Sequence, residues 1–366
     1  MGKLKKQNAI TLVALVITIV VLLILAGISI SALTNTGIFA KAKDAKKKFE
    51  DVELEQNTEL DSYEKEISNY LPERKTVKQA IKECENGNPL STDKNIELID
   101  EKENKMVVPA GFIVVAEATT VDKGIVIEDV TENATKGSQF VWIPVGKIKK
   151  PDGTITEIKL DRYTFLEDGT PVEQGENVVE YFFKELNKSN GDNITAKNID
   201  EFKNSVDLNG GYYIGRYETR KNKNGGITEV KSDVVWNDVT QIDAANYARN
   251  MYNDKNYTCD LINSYAWDTA TLFLQSFGNN KTYSRKNSLN VETLEENGTI
   301  DDKQCNVFDM ASNLMEWTTE TFNGEEAGVL RGGRYNDSYI YTGWRGHNKA
   351  SVIYIGFGFR PILYLK

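Results

Sequence analysis

The chain has 366 residues, 40% apolar and 10% aromatic with only seven prolines, enough to bury a sizeable core. Forty-four Lys and Arg against 54 Asp and Glu give a formal net charge of -10, which argues against a nucleic-acid partner because such proteins carry a basic footprint. Three distant cysteines, Cys84, Cys259 and Cys305, match neither a disulfide framework nor a metal-ligand spacing, although one pair could bridge.

Residues 1–9 form a basic leader with Lys3, Lys5 and Lys6, and no charged residue then occurs from Ala9 to Ala40. The apolar run predicts a transmembrane helix over 10–33, since about twenty residues cross a hydrocarbon core of roughly 30 Å. It is longer than the apolar stretch of about 7–15 residues in a secretory signal peptide, the alternative reading. Lysines flank the run on both sides, so charge alone does not orient it.

Over 34–71, Ala42, Ala45, Phe49, Val52, Gln56, Leu60, Tyr63, Ile67 and Tyr70 recur every three or four residues and predict an amphipathic stalk helix ending at Leu71-Pro72. Residues 72–105 read as a linker holding a short helix around Thr76–Glu85. From 106 to 366 the texture changes to short β-rich runs, among them Phe112–Ala116, Gly124–Ile127 and Phe140–Val145. Helical intervals return at Gln241–Met251 and Ser264–Phe277. The expected fold class is therefore α+β: an N-terminal transmembrane helix and helical stalk, then a domain of short strands and two helices.

Two resemblances add to this reading. Lys5-Lys6-Gln7-Asn8-Ala9 followed by Ile10-Thr11-Leu12-Val13-Ala14-Leu15-Val16-Ile17 resembles the N-terminus of type IV prepilins and pseudopilins, which implies cleavage between Ala9 and Ile10. It also implies a membrane partner, an inside N-terminus, an outside bulk and contact with other pilin-like subunits. The family carries Glu at the fifth position after the cut and this chain has Ala14, which counts against filament assembly.

Downstream, four segments together resemble the formylglycine-generating-enzyme (sulfatase-modifying factor) superfamily, whose domain is a variant of the C-type lectin fold. They are Gly211–Glu218; Val235–Val239 with Tyr257–Leu261 and Ser264–Asp268; Asn306–Trp317; and Leu330–Tyr335 with Gly356–Arg360. Physically, Gly332-Gly333 removes Cβ atoms where a turn or close approach is needed, and Arg331 or Arg360 can anchor a buried carboxylate such as Glu316. The resemblance implies calcium at Asn313 and Glu316, with Ser312 in place of the usual glycine.

An enzymatic reading meets two departures. The superfamily's catalytic cysteine positions carry Asp337 and Thr342, neither of which supplies a thiolate. Its iron enzymes need several histidines, whereas His347 is the only one here. No catalytic residue is therefore assigned, with an enzyme of that superfamily and a minor pseudopilin as the alternatives.

Between the two glycine-rich turns lie Tyr335, Asn336, Asp337, Ser338, Tyr339, Tyr341, Trp344, Arg345, His347, Asn348 and Tyr354, residue types that build adaptable recognition surfaces. The segment resembles the variable region of diversity-generating-retroelement target proteins. The alternative is that some of these side chains, Trp344 among them, fill core. The leading expectation is a bacterial or phage-encoded, membrane-anchored surface protein whose lectin-like domain binds a protein or glycan ligand through 334–354.

Overall fold

The computed structural model describes residues 17–24, 43–49, 51–52, 74–174, 199–221, 228–231, 233–252, 254–288, 293–298, 302–322 and 327–366. Two compact units divide the chain, Met1–Glu73 and Arg74–Lys366. In the first unit the described residues, 17–24, 43–49 and 51–52, are helical.

Among the described residues no helix is long and apolar enough to cross a membrane. This, with a described chain built mostly of β strands, corrects the expected transmembrane helix and helical stalk. The cleavage pair Ala9 and Ile10, most of the expected span and the Leu71-Pro72 stalk end lie outside the described residues.

Among the described residues the second unit contains four α-helices, one more than the three that the sequence predicts there. Helix α1 (Val77–Cys84) starts at a capping box: Thr76 Oγ1 accepts from Gln79 N at 3.2 Å and Gln79 Oε1 accepts from Thr76 N at 2.7 Å. Helix α2 (Ile199–Asn209) has no counterpart in the sequence reading. Helix α3 (Gln241–Arg249) is capped by Thr240, and α4 (Ser264–Phe277) by Asn263, whose Oδ1 accepts from Ala266 N at 2.9 Å. Asn263 and the closing Gly278 fix α4 where its sequence pattern placed it.

Ten strands make two sheets. They are β1 (Phe112–Val114), β2 (Val126–Asp129), β3 (Gln139–Pro144), β4 (Gly211–Gly215) and β5 (Tyr257–Leu261), then β6 (Met315–Thr321), β7 (Ala327–Arg331), β8 (Arg345–Lys349), β9 (Phe357–Phe359) and β10 (Pro361–Leu365). The large sheet is antiparallel in the order β5-β10-β4-β3-β2-β1. The small sheet runs β8-β7-β6-β9, with β6 and β9 parallel. Arg360 is the single residue between β9 and β10, so the chain passes from one sheet to the other at a buried guanidinium.

Helix α4 contacts β3 of the large sheet and β6 of the small one, and buries nearly its whole circumference, including Trp267, Phe273 and Leu274. Residues 74–105 join the same body, with Val77, Ala80 and Leu98 fully buried in the larger core. A second core, around Trp236, Trp317 and Phe359, fills the space beside α3. Cys84, Cys259 and Cys305 form no disulfide with one another.

Candidate ligand-binding site

Strand β7 leads into Gly332-Gly333, where two backbones come too close for side chains. A Cβ on Gly333 would sit 1.8 Å from the Ala311 carbonyl oxygen, and Gly332 adopts φ +79° with its Cβ position 2.6 Å from the Met310 carbonyl oxygen. The turn sends the chain out through 334–340 and back to the segment 341–344 that precedes β8.

Buried donors hold that returning segment from below. Trp267 Nε1 donates to the Thr342 carbonyl at 3.1 Å, Arg331 Nη2 to the Gly343 carbonyl at 3.4 Å, and Arg331 Nε to the Trp344 carbonyl at 2.9 Å. From the side, Thr342 N and Gly343 N donate to the carbonyls of Lys286 and Ser284 at 3.2 and 2.8 Å. Three successive carbonyls are thus fixed, and the ring positions above them are set before any ligand arrives.

The resulting pocket, of about 540 Å³, is lined by Tyr163, Thr164, Phe165, Tyr341, Gly343, Trp344, Arg345, Gly346 and His347. Its size falls within the usual range for small-molecule sites, about 300–1,000 Å³. Tyr341 and Trp344 meet edge to face with ring centroids 5.5 Å apart, and His347 stacks on Phe322 at 3.8 Å. Trp344 remains 37% exposed, so its ring is available as a contact surface. The opposite wall comes from the hairpin Tyr163–Phe165 with Pro171–Glu173.

Asp268 on α4 ties these walls together. It accepts from Arg331 Nη2 at 2.5 Å, from Arg345 Nη2, and from Tyr163 N at 3.0 Å. Burial and the charge of Arg345 pull the Arg331 guanidinium down to about 10, against the attraction of Asp268. Glu320 lies 3.9 Å from Arg345 Nη1, has no hydrogen bond to either oxygen, and is pushed up by burial.

A second buried network lies at the sheet crossover. Arg360 donates to Glu316 through Nε at 3.1 Å to both oxygens and through Nη2 at 2.7 Å, and its other donors reach the Gly215 and Phe308 carbonyls at 2.8 and 2.9 Å. The forked pair expected for Arg360 is present, while Arg331 serves Asp268 instead. Glu218 accepts from Asn313 Nδ2 at 2.6 Å and Leu314 N at 2.9 Å, and burial holds its carboxyl well above the usual range.

These contacts decide the fit of calcium at Asn313 and Glu316. Glu316 spends its oxygens on Arg360, and Asn313 Oδ1 accepts from Glu295 N at 3.2 Å. Among the described residues no group of three or more His, Cys, Asp or Glu side chains is placed to hold a metal ion. The pair does not form the oxygen cage that calcium requires.

Of the eleven sequence-predicted contact residues, the fold gathers Tyr341, Trp344, Arg345 and His347 at the pocket. Tyr335 is turned into the interior, 9% exposed, with its N–H donating to the Asn313 carbonyl at 2.9 Å. Asn336, Ser338 and Tyr339 stand out in the turn, and Asp337 pairs with Arg334 at 3.0 Å. Asn348 lies further along β8, and Tyr354 packs on Phe357 with Arg334 above its ring. The positions aligned with the superfamily's cysteines are thus an ion-paired, half-buried Asp337 and a buried Thr342.

Tyr163, Thr164 and Phe165 were missed as site residues. The run Tyr163-Thr164-Phe165 between Asp161 and Gly169 has the alternation of a strand, but its place beside 341–347 depends on the long-range bond to Asp268.

No protein-family model matches the chain, and no curated protein matches it. Among solved structures it is similar to Treponema denticola variable protein 1, at 12% identity over 63% of this chain and 97% of that one, with a TM-score of 0.35. It is also similar to PvdO from Pseudomonas aeruginosa, at 13% identity over 63% of this chain and 95% of that one, TM-score 0.38. A third likeness is to CarF, 13% identical over 43% of this chain and 87% of that one, TM-score 0.30. Likeness at this level transfers neither an activity nor a ligand to the chain.

Proposed function

We propose that the 74–366 unit is a recognition domain whose pocket binds a flat-faced group of a protein or glycan ligand without turning it over. The observation that supports this most is the pocket floor: successive carbonyls of 342–344 fixed by Trp267 and Arg331 beneath an aromatic lining. Rings held this way offer large contact area with little rotamer entropy left to lose. The lining contains no Asp, Glu, Ser or Cys, and its lone imidazole is stacked on Phe322.

The test is a screen of glycan and peptide arrays with the wild-type chain, repeated with Trp344→Ala and Tyr341→Ala. Binding that falls at least about tenfold in both variants, as expected for aromatic anchors worth 2 kcal/mol or more, supports the reading. Binding unchanged in both variants refutes it.

A further inference from the structure

We infer that the pocket takes an anionic ring, a flat-faced ring compound bearing a carboxylate, with Arg285 as the anchor for its charge. This rests on the pocket being the binding site and adds the chemistry of what enters it. Arg285 carries its guanidinium 3.9 Å from the centroid of the Tyr341 ring, and its Nη1 donates to the Phe165 carbonyl at 3.5 Å. Tyr341 and Phe165 both line the pocket, so the cation, outside the lining itself, touches one residue of each wall.

Among the described residues its neighbours are neutralised and it is not. Arg331, Arg334, Arg345 and Arg360 each face a carboxylate, and Lys286 reaches Asp302 at 2.8 Å. Among the described residues Arg285 has no carboxylate within ion-pair distance. The Tyr341 ring and the Phe165 carbonyl hold the guanidinium in place, and its remaining N–H donors suit a carboxylate.

The charge balance of the pocket points the same way. No acidic residue belongs to the lining, and Asp268, the carboxylate directly beneath it, is taken by Arg331 and Arg345. A cationic ligand would find rings but no counter-charge. An anionic ring finds an exposed stacking face on Trp344 and, beside Tyr341, the uncompensated charge of Arg285. A hydrogen bond to a charged partner, about 1.5–3 kcal/mol, corresponds to an affinity gain of about tenfold or more.

The carboxylate can belong to an acidic sugar or to an aromatic acid, and matched pairs distinguish the two. The full chain is titrated, following tryptophan fluorescence and heat, with methyl glucuronide against methyl glucoside and with phenylacetate against phenylacetamide. The acid of at least one pair should bind at least about tenfold tighter than its neutral partner. Arg285→Gln should erase that difference.

Equal affinity for acid and neutral partner, or a preference that survives Arg285→Gln, overturns the inference, as does the absence of binding by either acid at millimolar concentration. Trp344→Ala separates the two readings. If it leaves an Arg285-dependent acid preference intact, the aromatic pocket falls. If acid and neutral ring bind the wild-type chain equally and Trp344→Ala abolishes both, the pocket stands and the charge assignment falls.

Discussion

Replacing Asp268 with Asn removes the node that joins α4, the 163–165 hairpin and β8. Asp268 accepts from Arg331 Nη2, Arg345 Nη2 and Tyr163 N, and the two arginine side chains are 0% and 6% exposed. Asn offers one oxygen to three donors and turns its NH₂ toward a guanidinium. Glu320 would be the remaining counter-charge, and it has no hydrogen bond to either oxygen. Removing one partner of a buried ion pair costs about 3–5 kcal/mol. Against a total stability of about 5–15 kcal/mol, that lowers Tm by on the order of 10 °C. Urea unfolding followed by tryptophan fluorescence measures it, because Trp267 and Trp344 both sit in the affected region. A loss under about 1 kcal/mol, the size of an exposed ion pair, would refute the assignment of Asp268 as the knot beneath the pocket.

Arg360→Met should destabilise by about 3–5 kcal/mol because it strands Glu316, whereas the double variant Arg360→Met/Glu316→Leu should recover most of that loss; equal losses by urea titration would show that the pair is not the cause. Burial pushes the Asp309 carboxyl up to about 7, so its contribution to stability is fully present below the unfolded value near 4 and is lost as pH rises toward 7. Asp309→Asn should therefore stabilise increasingly, by about 1.4 kcal/mol per pH unit, between roughly pH 4 and 7; a difference from wild type that does not change with pH contradicts this. Gly333→Ala would place a Cβ 1.8 Å from the Ala311 carbonyl oxygen and should leave little folded protein, measured as soluble yield and circular dichroism.

Where local chemistry decides structure, the sequence was readable. The Thr76, Thr240 and Asn263 caps set three helices close to their expected positions, and Gly332-Gly333 marks a close approach that only missing Cβ atoms allow. The Arg360–Glu316 fork was also foreseeable, since a buried guanidinium needs a carboxylate.

Harder to read were features set by distant partners. Strand β6 buries Glu316, Thr318, Thr319, Glu320 and Thr321, which defies an alternating pattern because both its faces are covered. Only four of the expected contact residues reached the pocket because the chain reverses at 334–340 and sends Tyr335 inward and Tyr339 outward. The far wall comes from residues more than 170 positions upstream of Tyr341, placed by a backbone bond to Asp268 that no spacing announces.

The most direct test of the central claim is hydrogen exchange of the full chain with and without an array-identified ligand. The account predicts slowed exchange at both 163–165 and 341–347, with the turn around Asn336, Ser338 and Tyr339 unchanged. Slowing confined to that turn, or to neither wall of the pocket, would contradict it.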